Sequence, residues 1–225
     1  MSRSDVDAAT APLGALGLGR HKHSLLLGAL VLLLIISPLI EDAGTEGIVL
    51  SVLFTLVLIV GTLVVSRVIR DLLVVLVLSA TWLYLTWLHP VWSGSLLDEV
   101  SGLVLAVCTL YMAAVLLFSV IRAERVTHDV IGGAIAVYFL MGIAWAVIFV
   151  LIEGVEPGSF SLAEAGKGTI WDQLLYFSFA TLTTLGYGDV SPLSAVARVW
   201  AVLEAVCGTL FLAVLISRLV GLYKA

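Results

Sequence analysis

The chain has 225 residues, of which 61% are hydrophobic and only 12% are charged, with a formal net charge of -5 at pH 7. A soluble globular domain has about 25% charged residues, so this composition excludes that class. The apolar residues come in blocks of 17 or more, and each block is long enough for a helix to cross the ~30 Å hydrocarbon core of a bilayer. The composition therefore predicts an integral membrane protein.

Residues 1–23 are rich in Ser, Asp, Ala and Gly, which predicts a loosely ordered N-terminal tail. Six apolar blocks follow and predict six transmembrane helices, over residues 24–40, 47–66, 72–88, 100–121, 130–152 and 193–222. The apolar segment 170–183 lies between the last two blocks and has 14 residues, so as a helix it reaches only ~21 Å. It is too short to span a bilayer and predicts a re-entrant helix. The predicted fold class is an all-α membrane protein.

The first four blocks predict a four-helix module over residues 24–125. A voltage sensor needs charged side chains inside the membrane field, yet the fourth block contains no Lys or Arg. Arg67, Arg70, Arg122 and Arg125 lie at the ends of blocks, where such side chains reach the interface as anchors. We therefore predict weak voltage dependence at most, with the module being a degenerate sensor, an assembly platform or a lipid-facing scaffold.

The placement of Lys and Arg predicts that both termini are cytoplasmic. With that orientation only Lys167 and Arg198, of 11 basic residues, lie on the outside. The outer loops carry acids instead, namely Glu41, Asp42, Glu46, Asp98, Glu99, Glu153, Glu156 and Glu164. A short chain, acidic outer loops and no eukaryotic targeting signal favour a prokaryotic inner membrane.

Residues 181–189 are too polar and too rich in Gly to face lipid. Irregular backbone at membrane depth is tolerated only where protein buries it or where it lines a watery path. Gly186 and Gly188 alternate with residues that carry side chains, and Gly permits backbone conformations that L-residues avoid. Such a backbone can turn successive carbonyls to one side, and carbonyls stacked from several copies replace the hydration shell of a cation.

The sequence Thr-Thr-Leu-Gly-Tyr-Gly-Asp at 183–189 resembles the potassium channel signature, with Leu185 where Val or Ile is more usual. The order of segments is also similar: outer helix, pore helix, filter and inner helix. The chain thus resembles a bacterial-type six-transmembrane potassium channel subunit with one pore loop and no charged voltage-sensor helix. The resemblance implies a pore domain over residues 126–225.

The resemblance further implies that the carbonyls of Thr184, Leu185, Gly186 and Tyr187, with the Thr184 hydroxyl, coordinate K⁺, and that Gly188 completes the selectivity filter. One filter per chain implies a homotetramer, because four chains must supply the ring. The implied partners are three further copies, membrane lipid and potassium ions, with no nucleic acid and no other cofactor.

The pore helix is predicted to begin at Thr169, with Asp172 three residues later, since this spacing is typical of a helix start and the acid favours the N-terminal dipole. In many relatives a tryptophan pair stands at the positions of Tyr176 and Phe177. The two-helix bacterial channels have a glutamate where this chain has Ala180. The residues predicted to support the filter are Thr183, Asp189, Trp171, Tyr176 and Phe177.

Two residues of the last block are candidates for gating. Gly208 aligns with the glycine at which inner helices of relatives bend, which favours a hinge, although small residues also let membrane helices pack closely. Glu204 is the one acid in the middle of a span, and an ionisable group at that depth indicates a functional site. A hydrogen bond to Ser178 or to a threonine behind the filter is one role for it, and a proton-sensitive group facing the cavity is another.

The function predicted from these features is passive, selective conduction of K⁺. One alternative is a weakly selective cation channel, and another is a non-conducting accessory membrane subunit. A secondary transporter is expected to have paired broken helices in related halves, whereas this chain has one interruption. An ATP-binding loop, a metal-ligand cluster and a nucleophile–base pair are all missing from the sequence, so an enzyme is not expected.

Overall fold

The computed structural model describes residues 22–37, 46–65, 69–88, 95–123, 125–162 and 169–223. Within these ranges the chain consists of helices joined by turns and loops, and the β-structure is limited to one isolated antiparallel bridge between Phe160 and Pro192. The seven helices of this described part are α1 (Lys22–Ile36), α2 (Glu46–Val65), α3 (Ile69–Leu88), α4 (Ser95–Ile121), α5 (His128–Val155), α6 (Ile170–Leu182) and α7 (Ala195–Tyr223).

Four of these helices, α3, α4, α5 and α7, are long and apolar enough to cross a membrane. Shorter apolar stretches, Leu25–Ile36 and Val49–Thr62, lie in α1 and α2. Four of the six predicted spans are thus helices of sufficient length and apolarity to cross a membrane, and crossing by the first two stays a prediction. Helix α6 has 13 residues and occupies the segment that the sequence assigned to a re-entrant helix.

The first helix begins inside the segment that was predicted as a tail, which extended to residue 23. Helix α1 starts at Lys22, while residues 1–21 lie outside the described part of the chain. The reason is a tertiary contact: Nδ1 of His23 lies 2.9 Å from a carboxylate oxygen of Asp129 and 3.1 Å from its backbone oxygen. His23 is buried by this contact, which ties the start of α1 to the start of α5.

Helix α5 is the centre of the molecule, because it contacts α1, α4, α6 and α7. Its buried residues include Gly133, Ala134, Ala136, Gly142 and Ala144. In a bilayer, lipid is as apolar as the helices, so helix association depends on close van der Waals packing and small side chains permit it. The small residues of α5 therefore explain how one helix can contact four others.

The predicted four-helix module and the predicted pore domain share one hydrophobic cluster. Leu30 of α1 and Met112 of α4 belong to the same buried cluster as Ile143 of α5 and Leu175 of α6. Phe54 of α2 also contacts Trp171 of α6 edge-on, with ring centroids 5.2 Å apart. Helix α2 thus packs directly against α6 of the same chain.

Basic residues at helix ends gather at one end of the bundle. Arg70 and Arg122 line a single cleft together with His23 and Asp129, and Nη2 of Arg218 donates to the Ala123 carbonyl at 3.1 Å. By contrast, Nε of Arg198 donates to the Pro192 carbonyl, just beyond the predicted filter. This distribution is the one that the charge pattern predicts for alternating spans.

Candidate functional site

The site is built on α6, whose start is fixed by its own sequence. The Thr169 hydroxyl accepts from the Asp172 backbone N–H at 3.2 Å, and the Asp172 carboxylate accepts from the Thr169 backbone N–H at 3.3 Å. This reciprocal pair is a capping box and satisfies two N–H groups that have no partner within the helix. The helix start predicted from the Thr169 and Asp172 spacing is therefore confirmed.

The backbone turns sharply after α6 and is held by one carbonyl near the end of that helix. The backbone N–H groups of Leu185 and Gly186 both donate to the Ala180 carbonyl, at 2.8 and 3.2 Å. The backbone N–H of Thr184 donates to the Thr181 carbonyl at 3.0 Å. The helix end therefore fixes where residues 184–188 begin.

Residues 184–188 have a backbone whose φ angle is positive at every second position. The φ angles of Thr184, Gly186 and Gly188 are 59°, 56° and 82°. Thr184 is the one non-Gly residue with positive φ among the described residues, and such a conformation is uncommon and costly for an L-residue. Where left- and right-handed conformations alternate, successive N–H groups line up on one side of the backbone, and such a backbone can direct its carbonyls to the other side.

A Cβ atom at Gly186 or Gly188 would meet no atom within 4 Å in this single chain. Glycine is thus favoured there by the positive φ rather than by a close neighbour. The side chains of Leu185 and Tyr187 are 53% and 72% exposed. The segment is therefore held from behind by α6 and is open on its other side.

The predicted supporting residues lie on different sides of this segment. Tyr176 donates its hydroxyl to Oδ1 of Asp189 at 3.0 Å, across the outer end of the segment. Phe177 is buried among Phe149 and Phe160, with ring centroids 5.2 and 5.4 Å away. The sequence grouped Tyr176 with Phe177 as packing residues, whereas the structure gives the first a polar contact and the second an aromatic one.

Trp171 lies in the first turn of α6 and Thr183 directly follows its end, and neither side chain forms a hydrogen bond with residues 184–188. Trp171 packs against Phe54 of α2, and the Thr183 hydroxyl donates to the Phe179 carbonyl of its own helix at 2.6 Å. Trp171 therefore connects α6 to α2, and Thr183 caps the end of α6.

The inner helix α7 lies behind α6 and contacts it at two of its residues. Oε1 of Glu204 lies 2.5 Å from the Ser178 hydroxyl. This contact is the hydrogen bond to Ser178 that was one of the two roles predicted for Glu204. Gly208 is buried, and a Cβ atom there would lie 2.5 Å from the Leu182 carbonyl oxygen. The structure thus shows close packing at Gly208 in a helix that runs unbroken from Ala195 to Tyr223, and the hinge stays a prediction.

Two contacts at the site were not found from the sequence. The Tyr138 hydroxyl of α5 donates to the Leu182 carbonyl at 2.9 Å, at the end of α6. The Ser37 hydroxyl, which follows α1, donates to the Asp172 carboxylate at its start. Both join residues more than 40 positions apart, so no local pattern in the sequence could indicate them.

One protein family model matches the part of the chain that contains this site. Residues 135–224 match the model of a protein family described as "Ion channel". The chain is 34% identical over 89 residues to the inward rectifier potassium channel Kirbac3.1 of Paramagnetospirillum magnetotacticum, over 35% of this chain and 30% of that protein. It is 30% identical over 83 residues to the two pore potassium channel c of Oryza sativa subsp. japonica, over 37% of this chain and 18% of that protein.

A longer match is to a shorter protein. The chain is 31% identical over 121 residues to protein LctB of Bacillus caldotenax, and the match covers 48% of this chain and 90% of that protein. The two potassium channels are matched over less than a third of their own length. No solved structure matches the chain.

Proposed function

We propose that this chain, which belongs to the ion channel family, is one subunit of a tetrameric channel that conducts K⁺ selectively and passively. The family assignment indicates a channel rather than an enzyme, and the apolar helices make it an integral membrane protein. The observation that carries the proposal is the alternation of positive φ at Thr184, Gly186 and Gly188. A backbone of this kind aims its carbonyls at one axis, and rings of carbonyls are how potassium filters replace the hydration shell of the ion.

In the proposed pore, the carbonyls of Thr184, Leu185, Gly186 and Tyr187, with the Thr184 hydroxyl, hold K⁺. The Ala180 carbonyl supports this backbone by accepting from two of its N–H groups, at 2.8 and 3.2 Å. The C-terminal end of α6 directs a partial negative charge toward the inner entrance, which favours a cation. The pore therefore needs no acidic ligand to attract K⁺.

One chain supplies only one wall of such a pore. The side chains of Leu185 and Tyr187 are largely exposed, and so are Val199, Val206 and Leu210 of α7. Helix α7 is among the least buried of the candidate spans, although it follows the filter directly. Three further copies arranged around the filter would cover these apolar surfaces and complete the carbonyl rings. The proposed state is thus a homotetramer in a lipid bilayer.

The orientation belongs to the same proposal. The end of the bundle that carries Arg70, Arg122 and Arg218 would lie in the cytoplasm, because short loops rich in Lys and Arg stay there. The filter, Asp189 and Arg198 would then face the outside. With this orientation both termini are cytoplasmic, and we place the protein in a prokaryotic inner membrane.

The test is ion flux into liposomes that contain the purified protein, together with its mass in native mass spectrometry. The proposal predicts uptake driven by a K⁺ gradient that an equal Na⁺ gradient does not support, and a mass of four chains. Equal uptake of both ions would favour a weakly selective cation channel. A tetramer without flux in either gradient would favour a non-conducting accessory subunit.

A further inference from the structure

Glu204 carries a carboxyl group in the interior of the protein, in the first half of α7. Its side chain is 0% exposed even in the single chain. Oε1 lies 2.5 Å from the Ser178 hydroxyl oxygen, and Oε2 has no hydrogen-bond partner. The same Ser178 hydroxyl oxygen lies 2.7 Å from the Gly142 carbonyl oxygen of α5. Three oxygen atoms, one from each of three helices, are therefore joined in series by two short contacts, which form a chain of contacts through Ser178.

The number of protons in this chain of contacts decides the charge of Glu204. A serine hydroxyl has one proton to donate, while both contacts are at hydrogen-bond distance for two oxygen atoms. If Ser178 donates to Gly142, the contact with Glu204 needs a second proton, and only the carboxyl group can carry it. If Glu204 were ionised, Ser178 would supply the only proton for the two contacts. One contact would then bring two oxygen atoms close together with no proton between them, which is repulsive.

The surroundings of Glu204 favour the same answer. The salt bridges among the described residues join His23 to Asp129 and Arg70 to Asp71, so neither involves Glu204. The titratable group that interacts with it electrostatically from α5 is Tyr138, whose hydroxyl is neutral, and α6 presents Ser178. An ionised carboxylate without a cation costs several kcal/mol in a low-dielectric interior, whereas a neutral acid leaves only one carbonyl-like oxygen unpaired.

We propose that Glu204 is a proton-binding site, and that its bound proton completes a relay from Glu204 through Ser178 to Gly142 which ties the inner helix to the pore helix and the outer helix. Glu204 is a positioning residue, because it reaches the filter only through α6. Ser178 lies two residues before Ala180, whose carbonyl holds the filter backbone. The consequence for the filter rests on the proposed function, whereas the proton site itself does not.

The relay makes stability depend on pH in a definite direction. A carboxyl group in an unfolded chain has a pKa of about 4.3 and is ionised at neutral pH, so the folded protein binds one proton more than the unfolded protein. Stability then falls as pH rises above that value. Glu204→Gln carries a permanent N–H donor in place of the proton and removes this dependence. Asp71→Asn is the matched control, because Asp71 is also buried but lies in the first four helices, where Tyr111 donates to it.

The experiment compares these full-length proteins in detergent by infrared spectroscopy and thermal unfolding. The parent protein at neutral pH should show a carboxylic acid C=O stretch that Glu204→Gln removes and Asp71→Asn keeps. Its Tm should fall between about pH 5 and pH 8, and this fall should be absent in Glu204→Gln. An unchanged spectrum in Glu204→Gln, or an equal fall of Tm in that variant, would overturn the proposal.

A second variant separates the relay from the simple loss of a buried acid. Glu204→Ala removes both the proton and its acceptor, so it should lower Tm below that of Glu204→Gln at every pH. Equal Tm values for the two variants would contradict the relay. None of these measurements needs ion flux, so a protein that fails to conduct K⁺ can still show the proton site, and a selective channel can still lack it.

Discussion

The hydroxyl of Tyr176 lies 3.0 Å from Oδ1 of Asp189 and thereby joins α6 to the residue that follows the proposed filter segment, residues 184–188. The contact is exposed in the single chain, at the outer end of the segment. Because the Ala180 carbonyl holds the opposite end of this segment, residues 184–188 are fixed at both ends by α6.

Tyr176→Phe should weaken the outer end of the filter, because it removes the donor to Asp189 and keeps the ring. We expect a several-fold increase in the fraction of time that the channel spends non-conducting, with little change in its preference for K⁺. Single-channel recording measures this fraction. Tyr84→Phe, at an exposed tyrosine of α3, is the control, and an equal effect of both substitutions would contradict the role of the Tyr176 hydroxyl.

Gly186→Ala should disturb the filter through backbone strain alone. No atom lies within 4 Å of the added methyl group in one chain, but a φ of 56° costs an L-residue about 1–2 kcal/mol. We expect the ratio of K⁺ to Na⁺ flux in liposomes to fall. Gly154→Ala adds a methyl group that also meets no atom, at a position without positive φ, and it should keep the parent ratio. A parent ratio in Gly186→Ala would exclude a need for this conformation.

Gly208→Ala tests whether this glycine acts in packing. The new Cβ atom would lie 2.5 Å from the Leu182 carbonyl oxygen, so α6 and α7 must move apart, and overpacking typically costs about 1–3 kcal/mol. We expect a lower Tm for the assembled protein. Gly221→Ala in the same helix meets no atom within 4 Å and should leave Tm unchanged. A normal Tm combined with altered opening in Gly208→Ala would favour the hinge instead.

Channel opening should depend weakly on voltage. Helix α4 contains no Lys or Arg, and each charge that crosses the field contributes about 2.3 kcal/mol per 100 mV. Open probability should therefore change little over the range of voltages that a bilayer tolerates. Neutralisation of Arg122 and Arg125 by Gln should leave that relation unaltered. A steep relation that those substitutions abolish would show that the first four helices are a working sensor.

The parts of the site that the sequence predicted are those that short segments specify. The Thr169 and Asp172 spacing predicted the start of α6 because a capping box is a local structure. The glycines at 186 and 188 indicated positive φ for the same reason. The contact between Glu204 and Ser178 joins two helices and is not local, yet it could be anticipated because an acid in the middle of a span needs a polar partner.

The parts that could not be predicted depend on how distant helices meet. Tyr138 donates to Leu182 across 44 positions, and Ser37 reaches Asp172 across 135. His23 extends α1 toward the N-terminus through its contact with Asp129. The separate roles of Tyr176 and Phe177 also depend on the direction in which α6 is turned, and composition does not determine that direction.

The central claim is that residues 184–188 form a potassium filter, and the most direct test is the reversal potential of single channels in planar bilayers. Purified protein is recorded with K⁺ on one side and Na⁺ on the other, and the reversal potential is compared with the equilibrium potential of K⁺. The account predicts a reversal close to that potential. A clear single-channel current that reverses near zero would contradict selectivity, however closely residues 183–189 resemble the potassium channel signature.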